Sequence, residues 1–182
     1  MSSISPPCPN AMTDTATTTP AIRYYWEDLE VGSVIALGEV TPTREAILDF
    51  ARQFDPQPFH LDEEAARASI FGGLCASGWH TCAMAMRLMV DHFLRYSSSQ
   101  GSPGLEAIKW LKPVYPGDTL RLQHRVIDRR PMRTRPEVGL VRTVWEMFNQ
   151  RGEQVLHMEG WGMFRRRTPG TVEDDAAPRQ AG

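Results

Sequence analysis

Hydrophobic positions recur along this chain at two different spacings, and the helical spacing occurs in three places. One stripe is formed by Ile47, Phe50, Ala51 and Phe54. Its i, i+3, i+4, i+7 spacing predicts a short amphipathic helix over 44–54. A second short helix is predicted over 63–69 behind Asp62 as N-cap, and the longest over about 79–95 behind Ser77 as N-cap. The sequence therefore predicts one long helix and two short ones.

The second spacing is the alternation of apolar and polar residues that is typical of strands. Strands are predicted over 33–41, 105–111, 119–128, 138–148 and 154–166. The turns at 113–118 and 149–152 suggest that the last four strands are joined as hairpins, which requires an antiparallel sheet. One long apolar helix with about five such strands predicts an α+β fold, with the helix on one face of the sheet.

Composition changes along the chain and limits the predicted domain to 23–167. Residues 1–22 are mostly Ser, Thr, Pro and Ala, and 168–182 contain no Leu, Ile, Met or aromatic residue. Neither segment can bury enough apolar surface to offset the entropy cost of ordering it, so both are expected to be mobile tails. The single domain is expected between them.

Charge, hydropathy and cysteine content exclude several classes of partner. The chain has 20 Lys plus Arg against 22 Asp plus Glu, a balance that argues against a nucleic-acid-binding protein. No apolar stretch is long enough to span a membrane, and the N-terminal segment does not resemble a signal peptide. Three cysteines without CxxC or Cys/His spacing predict a reducing compartment, the cytoplasm, and no zinc site.

The first candidate for chemistry is the segment 55–60. Pro56 and Pro58 disfavour helical geometry in the residues before them, so this segment is predicted as a stiff loop. It carries Asp55 and His60, a carboxylate and an imidazole suited to general acid–base catalysis. An ordinary Asp-Pro turn beside a histidine without catalytic function remains the alternative.

The second candidate is the start of the long helix at Ser77 and Gly78. Free amides at a helix N-terminus can bind an oxyanion, and glycine lets a ligand approach the backbone closely. A plain N-cap is the alternative.

A third candidate is a cluster of four arginines between two predicted strands, Arg129, Arg130, Arg133 and Arg135. Arginine side chains suit phosphate groups because their forked donors match the phosphate oxygens. A solvated hairpin tip is the alternative reading of the same cluster.

Taken together, these segments resemble the MaoC-like hydratase family of the hotdog superfamily, which includes (R)-specific enoyl-CoA hydratases. The resemblance covers about 24–166. Three segments carry it: Asp55-Pro56-Gln57-Pro58-Phe59-His60, Ala76-Ser77-Gly78-Trp79-His80, and the strand-turn-strand segment 112–120.

The resemblance implies an antiparallel sheet wrapped around the long helix, in a homodimer or higher multiple, with acyl-CoA bound near the subunit interface. It implies no metal or redox cofactor, with the coenzyme A thioester as substrate. Asp55 and His60 would activate water for addition to a 2-enoyl thioester, and the Gly78 amide would polarise the thioester carbonyl. Gln57, Phe59, Ser77 and Trp79 are further candidates for binding substrate, with Phe59 and Trp79 shaping the acyl pocket. The coenzyme A phosphates could use the arginines, with Arg129 and Arg130 as candidates, although no family motif fixes which.

The sequence departs from the family pattern at three places. Gln57 stands where the family usually has Asn, and Ser77 where many members have His. The serine that often supports the aspartate from further along the helix is replaced here by Ala83 or Met86. A non-catalytic acyl-thioester-binding subunit is therefore one alternative to the hydratase. A hotdog thioesterase is a weaker one, because 79–90 lacks the acidic residue such enzymes place on the central helix.

Overall fold

The computed structural model describes residues 20–169. The two predicted tails, 1–22 and 168–182, lie outside the described residues except at 20–22 and 168–169. No helix in the described part of the chain is long and apolar enough to cross a membrane.

Within residues 20–169 there are four α-helices: α1 (Arg44–Phe54), α2 (Pro58–Leu61), α3 (Glu63–Ala68) and α4 (Gly78–His92). Their N-termini follow the predicted caps, since Thr43 accepts a hydrogen bond from the Ala46 amide at 3.1 Å and Asp62 from the Ala65 amide at 2.8 Å. Helix α4 is shorter than predicted, and a 3₁₀ turn follows it over Leu94–Tyr96.

The segment 55–60 is not entirely the loop that its two prolines predict. Pro58 begins the short helix α2, in which His60 lies. A proline fits the first turn of a helix because its missing N–H has no intrahelical partner there. The restriction on the preceding residue still holds, since Gln57 is extended with ψ of 143°.

The sheet has five antiparallel strands in the order β1-β3-β4-β5-β2. The strands are β1 (Val34–Val40), β2 (Gly104–Trp110), β3 (Leu120–Pro131), β4 (Val138–Phe148) and β5 (Gln154–Arg165). The predicted α+β class is confirmed. The prediction of a hairpin between β2 and β3 is wrong, because β2 pairs with β5 at one edge while β3 pairs with β1 and β4. A turn pattern shows where a chain reverses but not which strand it joins.

Helix α4 packs against the sheet and contributes much of the core. Its buried apolar side chains are Met84, Ala85, Leu88 and Met89. Phe93 follows the helix, is 2% exposed, and its ring centroid lies 4.8 Å from that of His124 on β3. This packing fixes the start of α4 next to the segment that carries Asp55 and His60.

Candidate active site

Asp55 ends helix α1, and hydrogen bonds from two neighbours hold its carboxylate. Ser77 Oγ donates to Asp55 Oδ2 at 2.6 Å, and Gln57 Nε2 donates to Oδ1 at 2.7 Å. Partial burial acts to raise the pKa of Asp55, but the hydrogen bonds from Ser77 and Gln57 and the charge of His60 outweigh it. The pKa of Asp55 is therefore below its ordinary value, and the group is ionised at neutral pH.

His60 is 5% exposed and has a fixed ring orientation. Its Nδ1 lies 2.8 Å from the Cys75 carbonyl oxygen. Because a carbonyl can only accept, the hydrogen of the neutral ring belongs on Nδ1, which leaves Nε2 as an acceptor. The rings of Phe59 and Phe71 flank the imidazole, with centroids at 4.6 and 6.3 Å.

The two candidate acid–base groups face each other across a short gap. His60 Nε2 lies 3.6 Å from Asp55 Oδ2, which is longer than an ordinary hydrogen bond. Both atoms are acceptors in the state described above. One water could therefore donate one hydrogen to each of them, with its oxygen lone pair left free for attack.

Gly78 is the first residue of α4, and no described residue accepts a hydrogen bond from its amide. Amides in the first turn of a helix have no intrahelical partner, so this one is available to a ligand. Trp110 Nε1 donates to the Gly78 carbonyl at 2.9 Å, and its ring covers the α-carbon. A Cβ at this position would lie 2.5 Å from the ring, so only glycine fits.

These groups share one cavity of about 470 Å³. Seven of the predicted site residues line it: Asp55, Gln57, Phe59, His60, Ser77, Gly78 and Trp79. Among the described residues, no group of three or more His, Cys, Asp or Glu side chains is placed to hold a metal ion. The predicted acid–base pair, helix start and aromatic walls are thus assembled in one place.

Arg129 and Arg130 are not brought to this cavity. Both lie within β3 rather than at a hairpin tip. Arg129 stacks on Trp26 at 4.8 Å and donates to the Glu27 carbonyl at 3.0 Å, while Arg130 stacks on Trp161 at 4.8 Å. Their side chains pack on aromatic rings of the same chain, and neither lines the cavity.

Further lining residues were not singled out from the sequence: Phe71, Cys75, Thr81, Trp110, Leu111, Lys112 and Val114. Most of these follow the end of β2 or the break after α3. Trp110, Leu111, Lys112 and Val114 lie at or after the end of β2, which is an edge strand of the sheet, and strand order cannot be read from turns. The contact of Trp110 with Gly78 is the most consequential of these omissions.

An antiparallel sheet packed on one long helix, with an acid–base pair beside that helix's first amide, defines a hotdog-type α+β protein with a candidate catalytic site. A family model for the MaoC like domain matches residues 30–146. The chain belongs to this MaoC-like family.

Three similar proteins illustrate the relationship. The MaoC-like dehydratase from Rhodospirillum rubrum is 42% identical, with a TM-score of 0.75 over 80% of this chain and 99% of that one. A Mycobacterium tuberculosis protein with a double hotdog fold is 20% identical, with a TM-score of 0.66 over 87% of this chain and 52% of that one. Mesaconyl-CoA hydratase from Cereibacter sphaeroides is 41% identical over 73 residues, which are 40% of this chain and 19% of that protein.

Proposed function

We propose that the chain is an acyl-CoA hydratase/dehydratase that adds water reversibly to a 2-enoyl-CoA, giving a 3-hydroxyacyl-CoA. The observation that carries this proposal is the 3.6 Å approach of Asp55 Oδ2 and His60 Nε2 in one cavity with the Gly78 amide. The similarity to a MaoC-like dehydratase and to mesaconyl-CoA hydratase supports the same reaction class. The reaction needs no metal or redox cofactor, and we propose the cytoplasm as its location.

The proposed mechanism begins with polarisation of the thioester. The Gly78 amide donates a hydrogen bond to the thioester carbonyl oxygen, where negative charge develops as the β-carbon is attacked. A fixed donor at that position stabilises the enolate-like transition state more than the substrate.

Asp55 and His60 then move the protons. A water held between Asp55 Oδ2 and His60 Nε2 loses one proton to the pair as its oxygen bonds to the β-carbon. The pair returns one proton to the α-carbon, so its protonation state is restored at the end of each turnover. Dehydration follows the same path in reverse.

We also propose that the working unit is a homodimer. In the described part of the chain, no strand pairs with the outer edge of β2, and apolar side chains lie exposed on that strand, just after it and on α4. These side chains are Trp79, Met86, Val90, Leu105, Trp110 and Leu111. A second copy covering this face would also close the cavity mouth, since Trp79 and Trp110 belong to both.

The test of the proposed function is a panel of acyl-CoA substrates differing in chain length, branching and carboxyl groups. A hydratase removes the absorbance of the conjugated 2-enoyl thioester and leaves the thioester bond intact. Release of free thiol would identify a thioesterase instead. Binding across the panel without turnover would identify a non-catalytic acyl-thioester-binding subunit, and either result would overturn the proposal.

A further inference from the structure

Ser77 lies between the candidate base and the long helix. Its side chain is buried, with the residue 1% exposed, and its Oγ donates to Asp55 Oδ2 at 2.6 Å. The same Oγ accepts a hydrogen bond from the Trp79 amide at 3.2 Å. The serine thus acts as the N-cap of α4 and as a donor to the carboxylate at once.

The direction of the Ser77 hydroxyl is fixed by these contacts. A hydroxyl has one hydrogen, and the Trp79 N–H approaches the oxygen as a donor, so the Ser77 hydrogen points to Asp55. The Ser77 carbonyl accepts from the Thr81 amide at 3.0 Å and from Thr81 Oγ1 at 3.3 Å, which holds Ser77 in the first turn. Through these hydrogen bonds, the positive N-terminal end of the helix dipole helps to stabilise the negative charge of the Asp55 carboxylate.

Ser77 is the stronger of the two supports of Asp55. Gln57 bonds the other carboxylate oxygen, Oδ1, from an exposed position where water competes for the same contact. Oδ2, which Ser77 holds, is the oxygen that faces His60 Nε2 at 3.6 Å. Its orientation decides where a water between the two groups can sit.

We infer that Ser77 is a positioning residue for Asp55, holding Oδ2 toward His60 and keeping the carboxylate ionised, rather than a substrate-binding residue. The inference rests on the proposed hydration reaction. It also explains why no serine is needed at position 83 or 86, where this chain has Ala83 and Met86. The hydrogen bond to Asp55 comes instead from Ser77, the residue before α4.

Ser77→Ala tests this role. The bond from Ser77 stabilises the ionised form of Asp55, so its loss raises the pKa of Asp55. The acidic limb of the kcat–pH profile should move to higher pH by the same amount. At neutral pH kcat should fall about tenfold with KM little changed, because orientation and not substrate contact is lost. Ser77→Thr keeps the hydroxyl and should restore the profile.

Ser97→Ala is the matched control. Ser97 is 8% exposed, donates through Oγ to the Leu94 carbonyl and accepts from the Ser99 amide two residues on, as Ser77 accepts from Trp79. This variant should lose a comparable amount of stability and leave the pH profile unchanged.

Carbon-13 NMR titration of the Asp55 carboxyl in the full chain without substrate separates this inference from the proposed function. A raised Asp55 pKa in Ser77→Ala supports it whether or not the parent hydrates any substrate. If the parent hydrates enoyl-CoA, and Ser77→Ala changes neither the titration nor the kcat–pH profile beyond the change in Ser97→Ala, the positioning role is overturned while the hydratase stands.

Discussion

At the scale of single residues, the site depends on a contact between Gly78 and Trp110 that leaves no room for a side chain at position 78. Gly78 presents its α-carbon to the Trp110 ring and its carbonyl to Trp110 Nε1, while its amide stays available to a ligand. The indole therefore holds the α-carbon of Gly78 and the peptide that follows it, next to the amide that is proposed to polarise the substrate. Glycine is required by this close approach and not by an unusual backbone angle.

Gly78→Ala should disturb both stability and activity. The new methyl group would lie 2.5 Å from the Trp110 ring, so the ring must move and give up its bond to the Gly78 carbonyl. We expect a loss of about 1–3 kcal/mol in the free energy of unfolding, measured by denaturant titration, with a lower kcat/KM. Gly73→Ala is the control, since its new methyl would meet Tyr115 only at 3.8 Å. Equal stability of the two variants would contradict the steric account.

At this scale the sequence predicts the site best where local chemistry decides the outcome. Asp55 and His60 were identified from two prolines and two residue types, and the structure places both in one cavity. Ser77 was recognised as an N-cap, but its bond to Asp55 spans 22 positions of sequence and has no local signal. Arg129 and Arg130 suited phosphate by chemistry, yet nothing local showed that they would stack on Trp26 and Trp161.

At the scale of elements, α4 and the sheet together bury a titratable ring. His124 on β3 is 2% exposed, and no described residue bonds its buried Nδ1. Burial disfavours the charged imidazolium and lowers the pKa of His124 to about 4. The helix–sheet contact is therefore formed with a neutral histidine.

This burial predicts a loss of stability on mild acidification. The folded pKa of His124 lies below the unfolded value of about 6.5, so its contribution to stability is complete above pH 6.5 and disappears as pH falls toward 4. The loss should reach about 3 kcal/mol at most. His124→Phe should remove this part of the pH dependence, measured as the difference between the two proteins' unfolding free energies over that range. Parallel curves for parent and variant would contradict the burial account.

Element boundaries followed from the sequence more readily than element order. Periodicity located α1 and all five strands to within a few residues, because each pattern reports on one buried face. The pairing of β2 with β5 was missed because strand order depends on contacts far apart in sequence. Trp110 ends this strand and Lys112 follows it, so the missed strand order and these two missed lining residues have the same cause.

At the scale of the whole molecule, residues 20–169 leave an apolar surface and the outer edge of β2 uncovered. The exposed apolar side chains on α4 and around β2 include Leu105, which is 43% exposed on the edge strand β2. An edge strand beside an apolar face favours association with a second copy, and a stable interface needs about 1,200–2,000 Å² of buried surface.

The parent should therefore sediment as a dimer or a higher multiple of it, and Leu105→Glu should shift it toward the monomer, because a buried charge without a partner is costly. Val31→Glu is the control, since Val31 is exposed and belongs to neither β2 nor α4. Sedimentation velocity at micromolar concentration distinguishes the cases. A monomeric parent, or an equal shift in the control, would contradict the proposed homodimer.

The central claim is that Asp55 and His60 act as one acid–base unit on a 2-enoyl thioester. Its most direct test is the rate of loss of enoyl-thioester absorbance in the parent, in Asp55→Asn, in His60→Gln and in the double variant. Asp49→Asn is the control, because the Asp49 carboxylate pairs with Arg52 on the surface of α1. Each single variant should lose a factor of about 10²–10⁴, and the double variant little more than either, because each group alone cannot complete the proton transfers. Asp49→Asn should match the parent. Parent-like rates in both single variants would contradict the assignment.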